Sequence, residues 1–254
     1  MSLKEKLVGT PEPAPQQAET VEHDLSVYCI TRKEDVRYLK GMIDSLPRGI
    51  ELVIVNTVHG KETSLVLDRE EMVDGRWVRF ATYHYTSWHF ANARNAALEL
   101  CTKSWCWWMD TDDRLHPYHH ATLLDIPNLP AGIGGVMCGC YGYQPPYEDG
   151  KRGSFYAVVH CRAHRNHPDI RWRGAVHEQI DPQINDLGYK VVEANIAVIH
   201  EGYVTDRDTM TAKMGRNVLL LCQQLRDERD YLPDYYIDAI ARNSATYIDM
   251  KRSQ

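Results

Sequence analysis

WHFANARNAALELCTKSWCWWMDTDDRL, residues 88–115, reads as a helix (Trp88–Cys101), a tight turn, an apolar strand (Trp105–Met109) and then three carboxylates, Asp110, Asp112 and Asp113. Clustered acids at the end of a buried strand repel one another and lose hydration, which is costly unless a cation or hydrogen-bond donors compensate. The stretch therefore predicts a divalent cation at the strand end, together with whatever phosphate it carries. Alternate residues of an extended segment point the same way, so Asp110 and Asp112 are expected to converge on one ion. Oxygen ligands suit Mg²⁺ or Mn²⁺, which stay partly hydrated and bridge to phosphates. The plainer alternative is an acidic turn in which Asp113 caps a short helix. Arg94, in the first turn of the preceding helix, is expected near its positive end, where anions are favoured.

Upstream, the apolar runs Leu25–Ile30, Glu51–Val55 and Trp77–Tyr83 read as strands, separated by helical patterns at Glu34–Leu46 and Glu62–Met72. Pro47 and Gly49 end the first helix, and Gly75 precedes the third strand. Strand and helix alternating through to Met109 predict an α/β fold with a mainly parallel, doubly wound sheet. Ligands bind such sheets outside the carboxyl ends of the strands. Here those ends carry Thr31 and Arg32, Asn56 and Thr57, and Asp110 to Asp113. Polar clusters at three equivalent places point to a site more firmly than any one of them.

Downstream the pattern changes. Gly132–Tyr143 is rich in Gly and Tyr, Gln144–Gly150 is a polar loop, and Ser154–Cys161 alternates as a strand. Ile170–Ile180 (IRWRGAVHEQI) holds an Arg-Trp-Arg cluster and His177-Glu178, and Val191–His200 is another strand. Met210, Met214, Val218, Leu221 and Leu225 recur at helical spacing, and a second helix is expected over Tyr235–Met250, beyond Pro233. The chain thus divides into a disordered Pro-containing tail (1–23), an α/β domain (24–203) and a C-terminal helical hairpin (204–254). The hairpin offers a surface for self-association or for a partner.

With 43% apolar residues, 25% charged residues and a formal charge of −6, the composition is that of a soluble globular chain. No apolar run approaches the roughly 18–20 residues of a membrane span, and the N-terminus has no signal-peptide core, so a cytoplasmic location is expected. The seven cysteines sit in apolar surroundings and read as reduced core residues. Dispersed Lys and Arg weigh against a dedicated nucleic-acid binder. His160, Cys161, His164 and His167 match no zinc spacing, so a solvated loop is the expected reading there. Trp172, between Arg171 and Arg173, is a candidate stacking platform for an acceptor.

W-x-F-A-x-A-R-N-x-A-L (Trp88–Leu98) followed by W-x-x-W-x-D-x-D-D (Trp105–Asp113) resembles glycosyltransferase family 2. More narrowly, it is similar to bacterial and phage members whose transferase domain precedes helical-hairpin segments, over roughly Asp24 to Tyr203. The resemblance implies a GT-A (Rossmann-like) fold, with a mainly parallel mixed sheet flanked by helices. It also implies Mn²⁺ or Mg²⁺, a nucleoside-diphosphate sugar donor (a UDP-sugar first among them) and transfer to an acceptor hydroxyl with inversion. Residue by residue, it implies that Thr31 approaches the nucleotide and that Asn56 stands where the family more often has an aspartate. Arg94 then touches the diphosphate or ribose, Asp110 serves the ribose and metal region, and Asp112 is the direct metal ligand. His177-Glu178 resembles the downstream acidic motif, which makes Glu178 the catalytic base with His177 holding its geometry. His200 resembles the late histidine that completes the metal shell. The acceptor class (glycan, protein or modified nucleobase) stays open.

Other classes compete. A nucleotidyltransferase of the same fold usually carries a Gly-rich phosphate loop after the first strand, which Cys29-Ile-Thr-Arg-Lys-Glu34 lacks. A non-catalytic nucleotide-sugar-binding module and a zinc metallohydrolase built on the histidines are the remaining alternatives.

Overall fold

The computed structural model describes residues 21–144, 154–201, 207–227, 241–246, 248, 249 and 252. The tail before residue 21, the loop at 145–150, Gly202-Tyr203 and most of the second hairpin helix lie outside the described residues. The first half of the chain builds β1 (Leu25–Thr31), α1 (Val36–Asp44), β2 (Glu51–His59), β3 (Ser64–Val73), β4 (Arg76–Tyr85), α2 (Phe90–Leu98) and β5 (Trp105–Trp108). There follow β6 (Asp113–Leu115), α3 (His120–Asp125), β7 (Ile133–Gln144), β8 (Ser154–Arg165), α4 (Asp181–Asp186), β9 (Lys190–His200) and α5 (Arg207–Asp227).

The nine strands among the described residues join one mixed sheet in the order β3-β4-β2-β1-β5-β8-β7-β9-β6. The contiguous pairs β4–β2, β2–β1 and β1–β5 are parallel, as the βα alternation predicts. β5–β8 and β7–β8 are antiparallel, β7–β9 is parallel, and β9 carries the short antiparallel strand β6 at the far edge. Helices flank the sheet, and α5 begins the C-terminal helical part, with residues 241–246 helical again.

The organising strand is β5, buried along its whole length. Trp105 and Trp107 enter one core with Leu25, Val27 and Met42, while Cys106 and Trp108 enter the other with Tyr28, Val53 and the alanines of α2. A strand covered on both faces needs an apolar residue at every position, which is why WCWW shows no alternation. Ala91, Ala93 and Ala97 let α2 lie close against the sheet. At the opposite end of the strands, Glu51 is 1% exposed and accepts hydrogen bonds from the Thr102 amide (2.8 Å) and hydroxyl (2.6 Å), from Arg79 (2.7 Å) and from Ser26. A buried carboxylate satisfied in this way ties the turn before β5 to the starts of β1 and β2.

The helix expected over Glu62–Met72 is instead strand β3, paired antiparallel with β4. Asp74 and Gly75, at φ 48° and 72°, close the hairpin, two consecutive left-handed residues being the tight turn that Asp-Gly favours. β3 is an edge strand with most residues exposed, so it lacks the two-residue hydrophobic period, and its Leu, Glu and Met residues read as helix formers. Asp68, Arg69, Glu70 and Glu71 charge that edge, and a register shift between Leu67 and Arg69 interrupts it, both of which discourage pairing with another chain. Gly132–Tyr143, read from sequence only as Gly- and Tyr-rich, is β7. All seven cysteines are free and six are buried. Among the described residues, no helix is long and apolar enough to cross a membrane.

Candidate active site

The carboxyl ends of β2, β1 and β5 lie side by side, and the polar residues that follow them form two adjoining groups. Thr31 and Asn56 pair in register across β1 and β2. They line a cleft of about 590 Å³ whose other walls include Arg32, Asp68, Phe80 and Tyr85. Thr31 is 5% exposed, and its carbonyl accepts from the Thr57 hydroxyl at 2.9 Å, which fixes the β1 end against β2.

The second group is the acid turn. Asp110 and Asp112 converge, but not along an extended segment: the Asp113 amide donates to the Asp110 carbonyl (3.0 Å) and the Asp110 amide to Asp113 Oδ2 (2.9 Å), so the chain turns. Asp113 therefore caps no helix. It is fully buried, takes Arg162 Nη1 at 2.5 Å and accepts from His200 Nδ1 at 2.8 Å. His200 arrives from the antiparallel pairing of β6 with β9, which sets it directly opposite Asp113. Asp110, Asp112 and His200 each offer one ligand atom, and these atoms lie within 4.8 Å of one another. This is the one such cluster found among the described residues. His160, Cys161, His164 and His167 form no comparable group there: fully buried His164 instead bonds the Tyr28 hydroxyl at 2.9 Å.

The electrostatics suit a cation. Burial pushes the Asp112 carboxyl up to about 6, against the pull of His200, with Asp110 and Asp113 adding repulsion. Asp113 itself is held well below the usual carboxylate range, because Arg162 and His200 outweigh its burial. Burial draws the His200 imidazole down, but its hydrogen bond to Asp113 and the neighbouring carboxylates leave it raised.

Arg94 links the acid turn to the segment before α4. Its Nε donates to Glu178 Oε1 at 2.5 Å and its Nη2 to Asp110 Oδ1 at 2.9 Å. The guanidinium lies 4.4 Å from the Trp108 ring and 5.3 Å from the Trp172 ring, and Nη1 is buried without a hydrogen-bond partner. Burial would lower its pKa, but Asp110 and Glu178 raise it instead, so Arg94 is a permanent cation. The α2 N-terminus itself is not open to an anion: the Phe90 and Ala91 amides donate to the carbonyls of Ala175 (3.0 Å) and Gly174 (3.3 Å). Trp172 is likewise no surface platform, being 5% exposed with its indole N–H on the Tyr28 hydroxyl at 2.7 Å.

No family model matches the chain. The lipopolysaccharide core biosynthesis glycosyltransferase LpsC of Rhizobium meliloti (strain 1021) is 34% identical over 213 residues, covering 82% of this chain and 68% of the relative. The chain belongs to the glycosyltransferases. The SPbeta prophage-derived glycosyltransferase SunS of Bacillus subtilis (strain 168) is 24% identical over 146 residues, 57% of this chain and 33% of that protein. Among solved structures, the mannosyltransferase PcManGT from Pyrobaculum calidifontis in complex with GDP-Man and Mn²⁺ superposes with a TM-score of 0.46 at 13% identity, covering 92% of this chain and 73% of that one. S. aureus TarS 1–349 superposes with a TM-score of 0.45 at 12% identity, covering 90% and 72%.

Several side chains that shape this glycosyltransferase's site escaped the sequence reading. Arg162 is a lone charge in the buried run Cys161–His164, an anomaly that could have flagged a paired core ion. Asn95 follows Arg94 and clamps the Trp172 backbone from both sides, donating to its carbonyl (3.0 Å) and accepting from its amide (2.8 Å). Lys213 and Arg216 project from α5 toward the same region. Burial lowers both, while Asp112 and Asp110 act on Lys213 and Asp35 and Glu178 on Arg216. Nothing in their local sequence separates these cations from surface ones.

Proposed function

We propose that this glycosyltransferase is metal-dependent and moves a sugar from a nucleoside-diphosphate sugar to an acceptor hydroxyl with inversion. The observation that carries the reading is the convergence of Asp110, Asp112 and His200 at the carboxyl ends of the parallel strands. Two carboxylates and one imidazole fit a hard divalent cation that keeps open positions for phosphate oxygens, Mn²⁺ or Mg²⁺. When bound, such a cation offsets the charge that grows on the leaving diphosphate.

The chain's own residues supply the rest. The Thr31–Asn56 cleft takes the nucleoside, with a UDP-sugar as the first donor to try. Arg94 keeps one buried donor for a ligand oxygen, and Lys213 and Arg216 add positive charge on the α5 side. Arg94 holds Glu178 by Oε1, which leaves Oε2 to take the hydroxyl proton as the acceptor oxygen attacks the anomeric carbon and the nucleoside diphosphate departs. Direct displacement inverts the anomeric centre, and no protein nucleophile is needed. Residues 24–203 constitute the catalytic domain in this reading. The similarity to a lipopolysaccharide core biosynthesis glycosyltransferase favours a saccharide hydroxyl as acceptor.

Thermal unfolding with Mn²⁺ and a panel of UDP-, GDP-, CMP- and TDP-sugars tests the site. A matched donor at one hundred times its Kd should stabilise the protein by about 2.7 kcal/mol. Asp112→Ala should abolish the Mn²⁺-dependent part of that shift, and no shift with any donor would defeat the proposal. Protons compete with the cation for Asp112, so Mn²⁺ affinity should be retained above about pH 6 and fall as the pH drops through that value. Calorimetric titration across pH 5–8 reads this directly.

A further inference from the structure

The sequence marks the C-terminal helices as a hairpin appended to the sheet, with a surface for self-association or for a partner. Two of their buried polar side chains, Gln224 and Asn243, reach the short segment that carries Glu178. Gln224 of α5 is 4% exposed, and its Oε1 accepts from the Ala175 amide at 2.8 Å. Asn243, 9% exposed and in the helical stretch 241–246, donates from Nδ2 to His177 Nε2 at 3.1 Å. Between these bonds, Leu220 and Leu221 pack on Ala175 and Val176, with Trp88 and Phe90 against the same cluster. On its other side the segment is bonded to the first amides of α2 through Gly174 and Ala175. Arg173 and Gln179 bond each other through both amides, pinching the segment into a closed loop.

His177 sits at φ +54°, a left-handed conformation that a non-glycine residue holds only where its surroundings impose it. That peptide immediately precedes Glu178, so the backbone twist decides where the carboxylate points. Released from α5 and Asn243, residue 177 would relax toward the ordinary region and swing Glu178 off Arg94.

We propose that Gln224 and Asn243 are positioning residues for catalysis, acting through the 174–178 loop to hold Glu178 on Arg94 and facing the acceptor. The division of the chain near residue 203 is then one of sequence and not of function. This inference rests on Glu178 being the base, and the experiment keeps the two apart.

Gln224→Leu removes the acceptor at similar size, and Gln224→Glu restores one. Three measurements are made on each, alongside Glu178→Gln and the Gln224→Leu/Glu178→Gln double variant. They are hydrogen exchange of the 172–179 backbone, Mn²⁺ affinity, and hydrolysis of whichever sugar nucleotide of the panel the wild type turns over. The expected result for Gln224→Leu is at least tenfold faster exchange at Ala175, with Mn²⁺ affinity and donor KM unchanged. Its kcat should fall by about a hundredfold and recover in Gln224→Glu. The double variant should be no slower than Glu178→Gln alone, because both changes act on one group. Unchanged exchange, or unchanged kcat with a loosened loop, would overturn the positioning role. Losses that multiply in the double variant would also overturn it, since Gln224 would then act elsewhere. Wild-type kcat in Glu178→Gln would instead remove the base assignment. That result would take the catalytic half of the inference with it, while exchange at Ala175 still reported whether α5 holds the loop.

Discussion

With Glu178 as the proposed base, a Glu178→Gln variant should fold, keep the Mn²⁺ affinity of the wild type, and turn over the donor some 10²- to 10⁴-fold more slowly, the range that a positioned general base contributes. The substitution suits the geometry because a glutamine oxygen can still accept from Arg94 Nε, so the loop keeps its tie to α2. What it loses is the ability to take a proton at the other oxygen. The side chain is 11% exposed and shielded by Arg94, so a loss of activity cannot be traced to an exposed surface change. Initial rates at saturating donor, with donor KM and Mn²⁺ affinity measured in parallel, separate this from a binding defect. A variant within tenfold of wild type would send the search for the base to Asp110, the other carboxylate on Arg94.

Arg162→Met should cost about 3–5 kcal/mol of stability, the penalty for leaving a buried partner charge uncompensated. Arg162 is 1% exposed and Asp113 fully buried, their contact is 2.5 Å, and the guanidinium lies 3.8 Å from the Trp108 ring. The comparison is made by urea or guanidinium unfolding at pH 7. The double variant Arg162→Met/Asp113→Leu should recover part of the loss, because no charge is then stranded. The pH dependence carries a sign. Native Asp113 is depressed, so its contribution is complete above the unfolded carboxyl value near 4 and is lost as the pH falls from there toward the native value. That acid-side loss should be large in the wild type and shallow in Arg162→Met. Asp113 also accepts from His200, so with His200 as the proposed metal ligand Mn²⁺ affinity should fall by about 10–100-fold in Arg162→Met, the range seen when the partner of a ligating histidine is disturbed. Equal stability at pH 7 would show that the pair contributes nothing net.

The parallel half of the fold was legible because its signals are local. β1, β2 and β5 are buried along most of their length and so spell themselves as largely apolar runs, with polar residues at or just past their carboxyl ends in Thr31, Asn56 and Asp110. The helix α2 declares itself by its small residues, and Trp88–Leu115 by itself places the acid cluster at the end of β5. β3 was misread because an edge strand exposed on both sides has no period to read, although Asp74-Gly75 marked its hairpin. The convergence of Asp110 and Asp112 was anticipated, but on the wrong ground: a hydrogen-bonded turn, not a strand pleat, brings them together.

What only the tertiary structure decided is how distant residues meet and which of them are buried. His200 reaches the acids through β6–β9 pairing, Arg162 reaches Asp113 across 49 positions, and Glu178 reaches Arg94 across 84. Whether Trp172 stacks on a ligand or supports a wall, and whether Arg162 is a surface charge or a buried one, depends on the desolvation that neighbours impose. Local sequence registers periodicity and turn chemistry because these act between near neighbours. It holds no record of burial at a single polar residue, and burial sets the strength of every ion pair in this site. The amino-acid order by itself determined the strand ends where Thr31, Asn56 and Asp110 gather, and the packing of the second half and of α5 determined what stands around them.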